Sequence, residues 1–134
     1  MALDDIPLMN MIKGKLGYLN QRQKLISENV ANADTPGFAP RDLKPFTFAQ
    51  HMASLQPVSP EKTQAAHIGM TKPPQETWKA EDAPDSETRL DGNQVVLEDE
   101  MMKMSASRMD YDAAVGLYQQ SLSLLRLAAR RPGQ

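Results

Sequence analysis

The chain has 134 residues, of which 40% are hydrophobic, 24% are charged and only 5% are aromatic. This length suits one structural unit, and the low aromatic content argues against the large buried core of a catalytic domain. The absence of cysteine excludes disulfides, thiolate metal sites and cysteine nucleophiles. Since the formal net charge is only -2, we expect neither nucleic acid nor an anionic membrane surface as a partner.

The N-terminal segment lacks the features of an export signal. Asp4 and Asp5 stand where a secretory signal carries basic residues, and no small-residue cleavage site follows. No run of residues approaches the roughly 20 apolar positions that a membrane-spanning helix requires. We therefore expect no cleavable signal peptide and no direct membrane span. The same two acids are suitable caps for a first helix, with Pro7 in its first turn.

Prolines divide the chain into three regions. Eight of the ten prolines fall between residues 36 and 84, where they prevent long helices. We predict a mainly α fold, with an N-terminal helix in residues 1–35, an irregular Pro-rich region with short extended pieces in residues 36–90, and a C-terminal helix in residues 91–134. One short strand is expected at Phe46 and Phe48, which alternate with Thr47.

Both flanking regions carry apolar residues at alternating spacings of three and four. This heptad pattern is typical of coiled-coil helices, and each stripe has one polar member, Gln23 in the first and Arg108 in the second. The stripes can pair with each other or with other chains, and we predict an antiparallel coiled-coil-like pair of long helices. The predicted assembly core comprises Ile12, Leu16, Leu19, Ile26, Val30, Leu97, Met101, Met104, Tyr111, Val115, Tyr118, Leu122 and Leu125.

The second helix has clear boundary signals and a second apolar surface. Asp91-Gly92-Asn93 predicts a turn and cap, and the acids at positions 98–100 favour a helix N-terminus. Outside the heptad stripe lie further apolar residues, among them Met102, Met109, Leu117, Leu124 and Leu127. Methionines fill cores, but a helix that is apolar on more than one face also suits several partners.

Candidate catalytic and metal-binding residues are few. His51 and His67 lie 16 residues apart without carboxylates at ligand spacing, and Asp110 and Asp112 lie on different faces of one helix. We expect no catalytic, cofactor-binding or metal site. Trp78, alone in a polar stretch, is interpreted as a local packing anchor or, alternatively, as a contact to a neighbouring subunit.

The sharpest local signal lies at the end of the first helix. Asn29 and Asn32 are three residues apart on one face, where their amides can bond carbonyls or a packed loop. Pro36-Gly37 fits the centre of a type II turn, which ends the helix and returns Phe38 toward it. On spacing alone, this segment is a helix stop followed by a turn.

As a string of residues, the same segment resembles the N-terminal signature of the flagellar axial proteins, the rod and hook family, which reads roughly N-[IV]-A-N-x-x-T-x-G-[FY]. A second stretch, from Leu90 to Met104, is similar to the entry of such a protein into its C-terminal helix. The residues of the family motif here are Asn29, Val30, Ala31, Asn32, Thr35, Pro36, Gly37 and Phe38.

The resemblance implies a structural protein without catalysis or cofactor. It implies export through the flagellar type III apparatus and polymerisation into the proximal rod of the basal body, with both terminal helices packed around the export channel. Such a rod lies in the periplasm, connects the membrane ring to the distal rod and transmits torque. The implied partners are copies of the chain, other flagellar rod proteins, the rod-to-ring adaptor, the membrane ring protein and the export apparatus.

Three alternatives remain at this stage. Another proximal rod protein of the same family shares the motif. A cytoplasmic coiled-coil adaptor or export chaperone would share the apolar stripes but has no reason to carry the motif. An enzyme would require titratable residues gathered around a pocket.

Overall fold

The computed structural model describes residues 6–47 and 78–129. These residues form two long helices and two short strands, in the order α1 (Pro7–Ala31), β1 (Arg41–Leu43), β2 (Ala80–Asp82) and α2 (Leu97–Ala129). The predicted mainly α fold with two long helices is confirmed. Asp4, Asp5, both histidines and Phe48 lie outside the described residues.

The two helices pack against each other in opposite directions. Asn29, near the C-terminus of α1, bonds to Glu100 in the first turn of α2. Tyr18, near the middle of α1, belongs to the same buried cluster as Ala114, near the middle of α2. Positions further along α2 thus meet positions earlier along α1, which confirms the antiparallel coiled-coil-like pair.

Helix α1 does not begin at the predicted caps, Asp4 and Asp5, but one residue later. Pro7 lies in its first turn and Ile6 is the N-cap residue, with no side-chain cap hydrogen bond. Buried positions along the predicted stripe include Ile12, Leu19 and Ile26, whereas Val30 is 39% exposed. Within α1, the other members of the predicted stripe are therefore buried or half-buried, and Val30 is the exposed one.

Helix α2 buries a different line of residues from the apolar stripe. Its fully buried positions are Glu100, Ser107 and Ala114, each seven residues after the one before. Leu97 and Met101 are exposed, while most later members of the stripe are half-buried. Small side chains at 107 and 114 permit a close approach of the helices, and Glu100 has partners in α1. Both effects rotate the contact line away from the most hydrophobic face.

The strands form a two-stranded antiparallel sheet that pairs Arg41 with Asp82 and Leu43 with Ala80. This pairing continues to the hydrogen bond from the Lys44 amide to the Lys79 carbonyl. Pro45 has no amide proton to extend the ladder. The strand predicted at Phe46 and Thr47 is therefore absent from the described part of that segment.

An aromatic cluster attaches the sheet to α1. The rings of Phe46 and Trp78 lie 5.6 and 6.2 Å from the ring of Tyr18, measured between centroids. The indole also lies over Gly17, where an added Cβ would come within 2.7 Å of the Trp78 Cη2 atom. Trp78 is thus a local packing anchor, and Gly17 provides the space for it.

Candidate functional site

The two segments that carry the family resemblance meet at one end of the helix pair. In the first, the Phe38 amide donates to the Thr35 carbonyl (3.3 Å) and Gly37 has φ of +70°, as expected for the predicted type II turn. In the second, Gly92 has φ of +82°. The Gly37 amide donates to the Asp91 carbonyl at 3.1 Å, so the two turns lie backbone against backbone.

Asn93 fastens these turns together. Its side chain is fully buried, and its Nδ2 atom donates to the carbonyls of Asn32 (3.0 Å) and Thr35 (2.7 Å). Its Oδ1 atom accepts from the Val95 amide at 2.8 Å. A single amide thereby satisfies two carbonyls at the end of α1 and one amide on the approach to α2. Each of these carbonyls also accepts a backbone amide, from Thr35 and Phe38 respectively, so Asn93 adds a second donor to each.

Asn29, one helical turn before Asn32, makes a comparable set of three side-chain hydrogen bonds. Its Nδ2 atom donates to the Arg41 carbonyl (2.8 Å) and to Glu100 Oε2 (3.0 Å), and its Oδ1 accepts from the Arg41 amide (3.0 Å). Two donors and one acceptor are therefore all occupied within a buried environment. Asn29 therefore joins α1, β1 and α2 at one point. Its amide was predicted to bond to carbonyls or a packed loop, and it bonds to the Arg41 carbonyl.

Glu100 carries its carboxylate into this buried environment and shares a cation with a second buried acid. The Lys103 ammonium donates to Glu100 Oε1 (2.7 Å) and to Asp85 Oδ1, and Asp85 Oδ2 accepts from the Val96 amide (2.9 Å). The side chains of Glu100 and Asp85 are at most 1% exposed. Burial alone lowers the pKa of Lys103, but its hydrogen bonds to Asp85 and Glu100 outweigh burial and raise that pKa above its ordinary value. We call Asn29, Asn93, Glu100, Lys103 and Asp85 the polar cluster.

A second ion pair holds β1 against α1. Arg22 donates through Nε to Asp42 Oδ1 (2.9 Å) and through Nη2 to Asp42 Oδ2 (2.7 Å), a bidentate arrangement. The hydrogen bond to Asp42 raises the pKa of Arg22, so the guanidinium remains charged. Nearby, burial raises the pKa of the Tyr18 hydroxyl above its ordinary value. These contacts fix the sheet at the middle of α1, next to the aromatic cluster.

The polar cluster can position chain segments, and its polar atoms are directed at one another. Within residues 6–47 and 78–129, no group of three or more His, Cys, Asp or Glu side chains is arranged to hold a metal ion. In the same ranges, neither helix is long and apolar enough to cross a membrane. The residues of the family motif are divided between this cluster and the surface: Asn29 is buried, Asn32 and Phe38 are half-buried, and Val30, Ala31, Thr35, Pro36 and Gly37 are exposed.

The predicted assembly core is likewise divided. Ile12, Leu19 and Ile26 are buried. Val30, Leu97 and Met101 are exposed. The remaining members are half-buried, namely Leu16, Met104, Tyr111, Val115, Tyr118, Leu122 and Leu125. The surface of α2 also carries exposed Met102, Met109, Leu117, Leu124 and Leu127.

Three members of the polar cluster, Glu100, Lys103 and Asp85, were not predicted from the sequence to lie together. Glu100 had a predicted place in the acidic first turn of α2, where an exposed acid interacts with the helix dipole. The spacing of Glu100 and Lys103 also permits an ordinary surface ion pair. Nothing local indicates that Glu100 is buried, since its partner Asn29 lies 71 residues away. Asp85 is 18 residues from Lys103, in the Pro-rich part of the sequence.

Known proteins match this chain over the motif and over most of its length. Residues 19–38 match the family described as Flagella basal body rod protein. The flagellar basal body rod protein FlgB of Agrobacterium fabrum is 26% identical over 132 residues, which cover 97% of this chain and 98% of that protein. FlgB of Yersinia enterocolitica is 35% identical over 97 residues, covering 68% and 70% of the two chains. FlgB of Escherichia coli is 29% identical over 103 residues, covering 71% and 72%.

Proposed function

Because this chain belongs to the FlgB family of flagellar basal body rod proteins, we propose that it polymerises into the proximal rod, joins the membrane ring to the distal rod and transmits torque. Its structural role in the basal body rod, among other rod components, follows from the family. The proposed partners are copies of this chain, other rod proteins, the rod-to-ring adaptor, the membrane ring protein and the flagellar export apparatus. The proposed role is mechanical and not catalytic.

The observation that carries this proposal is the contrast between a firmly joined helix pair and the apolar surface that it presents. The polar cluster and the paired turns hold α1 and α2 in one register at the motif end. Exposed apolar side chains continue along α2, where Met109 is 73% exposed and Leu117 is 57% exposed. Large exposed apolar patches mark interaction sites. A preformed helix pair with such a surface suits a subunit that is completed by neighbours.

A rod that transmits torque requires subunits that do not shear internally. Buried, fully paired polar groups fix one register because any slip leaves them without partners in a medium of low dielectric constant. We assign this role to the motif residue Asn29 together with Asn93, whose side chains are buried and bond across the segments. In this proposal residues 1–35 and 91–134 supply the rod core, and residues 36–90 connect its two helices.

The experiment that tests this proposal places a charge on the exposed surface of α2. Leu117→Asp changes a side chain that is more than half exposed, so we expect the isolated protein to fold with a change below about 0.5 kcal/mol. In an assembled rod the same carboxylate would be desolvated without a partner, at a cost of several kcal/mol. We expect non-motile cells in soft agar and no completed rods by electron microscopy. Gln119→Asp, two residues further along the exposed surface, is the control for added charge.

Export of both variants is measured separately in the culture medium of a strain that lacks the hook, so that a secretion defect is not mistaken for an assembly defect. Normal swimming by the Leu117 variant would exclude this surface from the rod contacts. Loss of motility in both variants without loss of export would mean that added charge, and not the apolar contact, is decisive.

A further inference from the structure

One dipeptide in the paired turns has a chemical reactivity of its own. Asp91-Gly92 is the only Asp-Gly pair in the sequence, which contains no Asn-Gly pair. In such a pair the backbone nitrogen of the glycine attacks the aspartyl side chain readily, because glycine has no side chain to obstruct the approach. The product is a five-membered succinimide ring, whose hydrolysis gives aspartate or isoaspartate. The chain therefore carries one peptide bond of this reactive type.

The fold uses both members of the pair. Gly92 has φ of +82°, where any other residue would be strained, and an added Cβ would lie 3.4 Å from the Gly37 Cα atom. Asp91 Oδ1 accepts from the Asn93 amide at 3.0 Å. The glycine permits the close approach of the two turns, and the aspartate holds the turn that leads to Asn93. Replacing either residue would remove the reactivity and weaken the joint.

The folded turn holds the groups that must move in the cyclisation. The Gly92 amide donates to the Arg89 carbonyl at 2.9 Å, and this bond breaks when the nitrogen loses its proton and turns toward Asp91 Cγ. The Asp91 carbonyl, at the other end of the same peptide plane, accepts from the Gly37 amide at 3.1 Å. Since the plane is held from both ends, cyclisation requires a local opening of the turns.

The reaction is an isomerisation that needs no reactant other than water. The Gly92 nitrogen forms a bond to Cγ of the protonated Asp91 carboxyl, and the carboxyl hydroxyl leaves as water with the amide proton. Water then cleaves the imide. Cleavage of the N–Cγ bond restores aspartate, whereas cleavage of the bond from nitrogen to the α-carbonyl gives isoaspartate. The mass is unchanged, but the backbone now runs through Cβ and Cγ and is longer by one carbon.

We propose that Asp91-Gly92 is a modification site at which isoaspartate forms while the two turns are apart, and that docking of the turns suppresses the reaction. An extra backbone carbon directly before Gly92 displaces Asn93 from the carbonyls of Asn32 and Thr35, to which its Nδ2 atom donates. The modified chain therefore loses the joint between its turns while it keeps the sequence patterns of both helices. This chemistry is independent of the proposed function.

The first measurement compares the folded and the unfolded chain. The full-length protein is aged at neutral pH with and without guanidinium chloride, and isoaspartate at position 91 is quantified by electron-transfer fragmentation of its peptides. We expect isoaspartate to form at least tenfold faster in the denaturant. Rates within twofold of each other would overturn suppression by the fold, and a denatured chain without isoaspartate at position 91 would overturn the site.

Two variants test whether the paired turns are responsible. We expect Asn93→Ala to accelerate the modification at least threefold without denaturant, because the reaction follows the population of the opened turn. In denaturant its rate should lie within twofold of the wild-type rate, since no turn is left to open. Gly17→Ala, which perturbs the contact with Trp78, is the control and should change the rate in the folded protein less than twofold. Equal acceleration by the two variants would overturn the role of the turns.

The effect of the modification is measured on the isoaspartyl chain itself, after chromatographic separation from the aspartyl chain and return to native buffer. We expect amide hydrogen exchange at residues 29–38 to be at least fivefold faster than in the unmodified chain, and exchange at residues 104–118 to change less than twofold. Unchanged exchange at residues 29–38, or equal acceleration in both ranges, would overturn the loss of the joint.

Discussion

The two ends of α2 differ in what they bury. The part from Leu97 to Ala114 contains all three buried positions of the helix, and its buried carboxylate has partners in α1 and in Lys103. In its C-terminal half beyond Ala114, no described residue is fully buried, and Leu117, Leu124 and Leu127 are more than half exposed. One half is therefore completed within the chain, and the other has apolar surface left for contacts. Polar residues give the first half its fixed register, and apolar residues give the second its capacity to associate.

The largest expected effect comes from removing the cation at the completed end. Lys103→Met leaves the buried carboxylates of Glu100 and Asp85 without their shared partner. Breaking a buried ion pair from one side costs about 3–5 kcal/mol. We expect a loss of this size in the free energy of unfolding, measured by urea denaturation. The control is Arg126→Met at the exposed end, for which we expect a change below about 0.5 kcal/mol. Equal losses in the two variants would contradict the contrast between the halves.

A somewhat smaller loss is expected from Asn93→Ala. Alanine removes three hydrogen bonds and leaves the carbonyls of Asn32 and Thr35 without these donors. Both carbonyls keep a backbone donor, from Thr35 and Phe38, whereas the Val95 amide loses its acceptor, and each lost hydrogen bond costs about 1 kcal/mol. We expect the unfolding free energy to fall by about 2–3 kcal/mol, with faster hydrogen exchange confined to residues 29–38 and 91–96. Uniform acceleration along both helices would show that Asn93 does not act locally.

The glycines of the two helices provide a matched pair of substitutions. Gly17→Ala forces the Trp78 ring to move, because the new Cβ would lie 2.7 Å from it, and we expect a loss of about 1–2 kcal/mol. Gly116→Ala meets no neighbour in the chain. It should stabilise the helix by about 0.5–1 kcal/mol. Thermal unfolding followed by circular dichroism measures both changes, and Trp78 fluorescence should shift only in the Gly17 variant. Stabilisation by both substitutions would mean that the indole does not need this space.

The smallest effect is a dependence of stability on alkaline pH. Burial raises the pKa of Tyr18, and the hydrogen bonds of Lys103 raise its pKa despite burial, so both groups bind their protons more tightly in the folded chain. Their contribution is complete below the unfolded values, about 10.0 and 10.4, and is lost as pH rises through the folded values. We expect the unfolding free energy to decline above about pH 10. Tyr18→Phe should make this decline shallower. If the unfolding free energy of that variant falls with pH as steeply as that of the wild type, Tyr18 is not a cause.

The parts of the fold that depend on local pattern are predictable from the sequence. The heptad stripes of α1 and α2 predict both helices, because alternating spacings of three and four place apolar residues on one face. Pro36-Gly37 predicts the turn, because a type II turn requires positive φ at its third position. The amide of Asn29 was expected to bond to carbonyls or a packed loop, and it does so with Arg41.

The parts that depend on distant partners are not predictable in this way. The buried line of α2 passes through Glu100, Ser107 and Ala114, and a hydrophobicity pattern ranks none of these above Leu97 or Met101. Their burial follows from the packing of α2 against α1, since Asn29 donates to the Glu100 carboxylate and the small side chains of Ser107 and Ala114 permit close packing. The strand Arg41–Leu43 was missed for a similar reason. Its pairing partner, Ala80–Asp82, lies almost 40 residues away and has no strand-like sequence of its own.

The aromatic cluster also has a consequence for how this chain can change in evolution. Phe46 and Trp78 contact the same ring, so the polypeptide leaves α1's surface and returns to it at one place. Insertions or deletions between these two positions replace none of the residues that make the contacts described above. Loop-closure entropy grows only logarithmically, at roughly 0.6 kcal/mol for each doubling of length. Relatives can therefore differ widely in the size of this connection while conserving the helix pair, and a reporter peptide inserted there should be tolerated.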